Sequence, residues 1–99
     1  MVIGAFTKQP NEQVPRAINF APLLASGELI VNQTVSAKDL ADGTDVTATL
    51  IAAPGRTPTT ITARIMGGVT EHTYRVQMRA TTNAGNVYEH EFDVLVREV

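Results

Sequence analysis

From Thr73 onward the chain alternates apolar and polar residues with a period of two. Tyr74, Val76, Met78 and Ala80 fall on one side, and Thr73, Arg75, Gln77 and Arg79 on the other. That is the pattern of a strand with one buried face. After turn residues Asn83, Ala84, Gly85 and Asn86, a second run sets Tyr88, Phe92, Val94 and Val96 against Glu89, Glu91, Asp93 and Arg97. The two runs are expected to pair antiparallel. A sheet that is dry on one face must cover that face with a second layer, and with helical periodicity nowhere sustained along the chain that layer is expected to be a second sheet.

Upstream, the same period places Ile61, Ala63 and Ile65 against Thr62 and Arg64, ending at Gly67 and Gly68, where a hairpin-like reversal is expected. Val46, Ala48 and Leu50 alternate with Thr47 and Thr49, which predicts a half-buried strand, with a turn at Pro54, Gly55 and Pro58 after it. Leu29, Ile30 and Val31 followed by Gln33 and Val35 slip by one residue, as a β-bulge would make them. Arg16 to Phe20 reads as a first strand. Phe20, Pro22, Leu23 and Leu24 predict one short helical turn that plugs the end of the sandwich before Gly27. Residues 1–15 hold Pro10 and Pro15 and little periodicity, so an extended arm is expected there, with proline limiting sheet pairing. The expectation is therefore an all-β chain: an N-terminal arm over 1–15 and an immunoglobulin-like antiparallel β-sandwich of six or seven strands over 16–99.

Ninety-nine residues leave room for one core. With 43% hydrophobic and 18% charged residues that core can form, and the chain reads as globular. The net charge is -2, and the eight basic residues are scattered from Lys8 to Arg97. Nothing in that distribution supplies the counterion release behind nucleic-acid binding, so neither nucleic acid nor an anionic membrane is expected as partner. Cysteine is absent, which removes disulfides and thiolate metal sites and suits a reducing cytoplasm. Lys8 follows the short apolar start instead of preceding it, the wrong order for a signal peptide, and no stretch is long enough to span a bilayer.

The residues that could carry chemistry do not converge. His72 and His90 begin two neighbouring strands and could approach each other, but no further ligands are spaced for a metal; His90 shares the parity of Tyr88 and Phe92 and is expected to be partly buried and hydrogen-bonded. Asp39, Asp42, Gly43 and Asp45 lack the alternation and the downstream bidentate glutamate of a calcium loop, and read as a turn held by aspartate side chains. Ser26 and Ser36 have no matched base, and Glu89 and Glu91 share one solvated face instead of the unlike environments that acid and base roles require. No catalytic residue, cofactor or metal is expected, and the protein is not expected to be an enzyme.

Phe6-Thr7-Lys8 with Pro10, Ile18-Asn19-Phe20, Leu24, Gly27-Glu28 and Ile30 make up one half of a familiar pattern. Thr73-Tyr74-Arg75-Val76, Thr81-Thr82, Gly85, Glu91-Phe92, Val94 and Val96-Arg97-Glu98 make up the other. Together they resemble the fiber-tail adaptor family of small structural proteins of tailed bacteriophages. The resemblance spans nearly the whole length, with Ser36 to Pro58 similar only in character. It implies a non-enzymatic virion component, assembled in the host cytoplasm, in the tail or neck region. Such a component joins tail, neck or fiber subunits through protein contacts, in multiple copies and a symmetric assembly. Met1, Val2, Ile3 and Phe6 in the apolar arm are the contact candidates, through backbone pairing at exposed edges. The competing expectation is a capsid decoration or surface module that recognises a glycan or host receptor through its loops.

Overall fold

The computed structural model describes residues 2–98. Two sheets face each other. The first is four-stranded, in the order β1-β7-β6-β3, built from β1 (Val2–Lys8), β3 (Ile30–Asp39), β6 (Thr73–Thr82) and β7 (Val87–Val96). The second is three-stranded, in the order β2-β5-β4, built from β2 (Val14–Asn19), β4 (Ile51–Arg56) and β5 (Thr60–Ile65). The expected sandwich is therefore present, and helix is confined to a 3₁₀ turn (Ala21–Leu23) and one turn, α1 (Thr47–Leu50).

The strongest sequence pattern forms the middle of the larger sheet. Tyr74, Val76, Met78 and Ala80 of β6 are all buried, and β6 pairs antiparallel with β7, Val76 opposite Phe92 and Met78 opposite His90. Ile61, Ala63 and Ile65 of β5 enter the same core from the other sheet, joined by Ile18, Leu50 and Ile51. The slip in β3 is a register shift between Ile30 and Asn32 against β6, as a bulge requires. Phe20, fully buried, precedes the 3₁₀ turn and closes one end; its amide donates to the Thr59 carbonyl at 2.8 Å.

Four local expectations are corrected. Val46 to Leu50 is not a strand: Asp45 Oδ1 accepts both the Thr47 amide at 2.9 Å and the Thr47 hydroxyl at 2.7 Å, starting the helical turn α1. In that turn Ala48 and Thr49 are exposed while Leu50 is buried. Pro54 and Gly55 are not a turn but the bulged middle of β4, where Ala53 takes a φ of 48° and the register against β5 shifts between Ala52 and Gly55. The reversal at Gly67 and Gly68 is no hairpin, since β5 and β6 belong to different sheets and the chain crosses between layers there. A Cβ on Gly68, whose φ is 95°, would lie 2.7 Å from Val96 Cγ2, so the crossing is tight enough to demand glycine. Residues 2–8 are paired, not free: β1 runs parallel to β7, Ala5 opposite Asp93 and Lys8 opposite Val96, which makes the larger sheet mixed instead of wholly antiparallel. Pro10 and Pro15 do not prevent this because both follow the pairing segment.

Candidate protein-contact site

A sheet edge is a row of unpaired backbone donors and acceptors, and proteins blunt such edges with proline, bulges, charge or covering loops. Three of the four edges here carry proline or a covering loop. β2 carries Pro15, and β4 carries Pro54 and its bulge. β3 is covered at both ends: Ile30 donates to the Pro58 carbonyl at 2.8 Å, Asp39 donates to Thr44 at 2.9 Å, and Ala37 accepts from Val46 at 2.9 Å. The fourth edge, β1, has neither proline nor a covering loop, but its register against β7 shifts between Val2 and Ala5, as a bulge would make it. Residues 2–7 include neither proline nor a charged side chain, and Val2 and Ile3 are 42% and 47% exposed.

What holds β1 in place lies at its far end. Lys8 is buried at 2% exposure, and its ammonium donates to the carbonyls of Gln9 at 2.7 Å and Gly67 at 2.5 Å. Burial pushes its pKa below the usual lysine value, with Glu12 opposing. Phe6 is half-buried. Its ring centroid lies 6.0 Å from that of Phe92, and the Arg16 guanidinium sits 4.0 Å over its face, so β2 closes the sandwich against β1 there. Of the four contact candidates, Val2 and Ile3 are thus open to a partner, Phe6 is largely committed to packing, and Met1 lies outside the described residues.

A second apolar region lies across the sheet from β1. Leu29 and Val31, where the chain enters β3, are 44% and 47% exposed, with Leu23 of the 3₁₀ turn and Val87 of β7 also exposed. The backbone beneath is firmly held. Glu28, buried, accepts the Thr82 hydroxyl at 2.6 Å, the Asn86 amide at 2.8 Å and the Ala25 backbone amide at 2.9 Å. Those bonds hold its carboxyl below the usual glutamate range, led by the Thr82 hydroxyl, with desolvation opposing. Leu29 and Asn83 add a reciprocal pair, each donating its backbone amide to the other at 3.0 Å. Between β1 and β3 the outward face of β6 and β7 is a charged ladder: Arg75 donates to Asp93 at 2.9 and 3.2 Å, and Arg79 donates to Glu89 at 2.7 Å. Sequence reasoning did not foresee the Glu28 latch, because its side-chain partners, Thr82 and Asn86, lie more than fifty residues away.

The groups weighed for chemistry stay apart. His72 bonds Asp39 at 2.7 Å beside Tyr74, whereas His90 sits opposite Met78 and stacks on Phe20 with ring centroids 5.3 Å apart. His90 is partly buried, as expected, and its buried Nδ1 has no hydrogen-bond partner among the described residues. Asp39, Asp42 and Asp45 each accept a backbone amide two residues on, at 2.9 to 3.0 Å, the turn chemistry read from the sequence. Those backbone bonds are the largest cause holding all three carboxyls below the usual aspartate range. A half-open cleft of about 230 Å³ above β3 and β6 is lined by Lys38, Asp45, Arg75 and Glu91, its charges of both signs. Among the described residues no group of three or more His, Cys, Asp or Glu side chains could hold a metal, and no helix is long and apolar enough to cross a membrane.

The chain is a two-layer β-sandwich with exposed apolar residues on β1, around the β3 entry and, beyond these, at Leu40 and Val69, and with a charged ladder on the outward face of β6 and β7. The family model described as podophage GP4 fiber-tail adaptor protein gp77 matches residues 8–95, and the chain belongs to that family. No curated protein matches the chain.

Proposed function

We propose that the protein is a non-enzymatic component of the phage virion that joins tail or neck to fibers by holding two partners at once. The observation that carries this is the pair of exposed apolar regions at opposite edges of one sheet, β1 with Val2 and Ile3, and the β3 entry with Leu29 and Val31. A joining piece needs two surfaces that can be occupied simultaneously. The charged ladder of β6 and β7 keeps these two from merging into one patch. The immunoglobulin-like character rests on strand order: without β1, β2-β5-β4 facing β7-β6-β3 follows the B-E-D against G-F-C arrangement of that fold. A receptor module reading sugars through its loops finds no support in the aromatics, since Phe20, Tyr74 and Phe92 are buried and Phe6 and Tyr88 pack on the core.

Two double variants test it, Val2→Asp with Ile3→Asp, and Leu29→Asp with Val31→Asp. All four positions are exposed, so both variants are expected to fold, as checked by circular dichroism. Each should lose about tenfold or more of its incorporation into particles, a cost of ~1.4 kcal/mol, with a different neighbour lost in each case. Full incorporation of both variants would overturn the proposal.

A further inference from the structure

We propose that the edge of β7 upstream of its pairing with β1 is a docking slot for an extended segment of another virion protein, one that sets an apolar residue against Val87 and a lysine or arginine against Glu89. β6 pairs with β7 in one unbroken register, from Thr81 opposite Val87 to Thr73 opposite Leu95. Just past its two limits the Thr82 amide donates to the Asn86 carbonyl at 2.9 Å and the Val96 amide to the His72 carbonyl at 3.0 Å. In an antiparallel ladder such bonded pairs recur at every second residue, so the even-numbered residues of β7 turn their backbone groups to β6 and the odd-numbered ones turn theirs the opposite way. The Arg97 amide, donating to the Lys8 carbonyl at 2.9 Å, marks that opposite side as the one β1 occupies. β1, however, pairs only from Val2 opposite Glu91 onward. The N–H and C=O of Val87 and the N–H of Glu89 therefore point to the sheet edge with no partner among the described residues. The proposal rests on the adaptor reading only in drawing the segment from the virion.

A row of unpaired backbone donors and acceptors selects an extended chain before any side chain is considered. Val87 and Glu89 are both exposed, Val87 at 55%, and their side chains share the outward face with Thr81 and Arg79. A strand laid along them places alternate residues of its own beside these two. An apolar residue beside Val87 takes both out of water. The Glu89 carboxylate accepts from Arg79 at 2.7 Å and Gln77 at 3.1 Å; with about four lone-pair sites it has capacity for a further cation on its open side, where an acidic residue would be repelled. Residue-resolved hydrogen exchange on the full wild-type chain, free and in particles, tests the slot. In the free chain the amides of Val87 and Glu89 should exchange far faster than those of Tyr88 and His90, which β6 holds, and in particles they should slow by about tenfold or more. Val87→Pro removes only the outward N–H, at the first residue of the strand, and leaves the ladder to β6 intact. It should keep the wild-type circular dichroism yet incorporate into particles about tenfold less than Val87→Thr, which retains the N–H, and Glu89→Lys should fall likewise. Amides of Val87 and Glu89 that exchange as fast in particles as in the free chain overturn the proposal, as does undiminished incorporation of Val87→Pro or of Glu89→Lys. Should Val87→Pro fail to fold, the exchange comparison on wild type decides alone. None of these results touches the adaptor function, which stands or falls on the double variants at Val2 and Ile3 and at Leu29 and Val31.

Discussion

Glu28 is the residue whose chemistry most exceeds what its position in the sequence announces. It stands between Gly27 and Leu29 in a connecting segment, yet its carboxylate gathers a hydroxyl, a side-chain amide and a backbone amide and ties that segment to the β6–β7 turn. Its folded pKa lies below the unfolded value, so it stabilises the fold at neutral pH and that contribution is lost as pH falls through the acidic range. Asp39, Asp42 and Asp45 are shifted the same way and add to the same acid lability. Melting temperature should therefore be level near neutrality and decline from about pH 5 downward. Glu28→Gln keeps the shape but replaces one accepting oxygen by an amide NH2, a donor, where both oxygens of the carboxylate accept. Its melting temperature should lie a few degrees below wild type at pH 7, with the gap narrowing toward pH 3. A gap that is constant with pH would show that the carboxylate charge is not what the latch uses.

At the scale of elements, legibility followed the period. β5, β6 and β7 were readable because each buries one face along an unbroken alternation. Val46 to Leu50 alternates just as cleanly, but after a single bridge from Asp45 to Lys38 of β3 the Asp45 side chain satisfies the Thr47 amide locally, and the chain closes a turn of helix instead of extending the pairing. Pro54 and Gly55 were misread because a bulge uses the same residue types as a turn. The pairing of β1 was invisible, since its partner lies some ninety residues on and parallel pairing leaves no turn between strands to read. Val2 and Ile3 were found as contact candidates through apolarity alone, whereas Leu29 and Val31 read as ordinary strand residues until the bulge turned Val31 outward. The element prediction concerns β6. Val76 is fully buried, flanked by Ala37 on β3 and Phe92 on β7, so Val76→Asp sets a carboxylate among apolar neighbours with no donor to meet it. That costs several kcal/mol against a net stability of ~5 to 15 kcal/mol for a domain of this kind. The variant should be unfolded by circular dichroism at 25 °C; a folded protein with an unchanged melting curve would refute the inward face assigned to β6.

For the whole molecule, the arrangement implies that stability is graded across the larger sheet. β6 is bonded on both sides, by β3 and β7, and its alternate side chains are buried from Tyr74 to Thr82. β1 is bonded on one side only, and of its seven residues just Lys8 is buried and Phe6 half-buried. Releasing β1 therefore exposes little apolar surface, whereas releasing β6 dismantles the core, and regions that differ in this way open with different free energies. In dilute protein, amide hydrogen exchange should find residues 2–7 exchanging through local opening, orders of magnitude faster than Val76 to Ala80, which exchange only on global unfolding. Protection of β1 equal to that of β6 in dilute solution would mean the strand is already an integral part of the core, and an edge so firmly closed down by its own fold would have no slack with which to serve a neighbour.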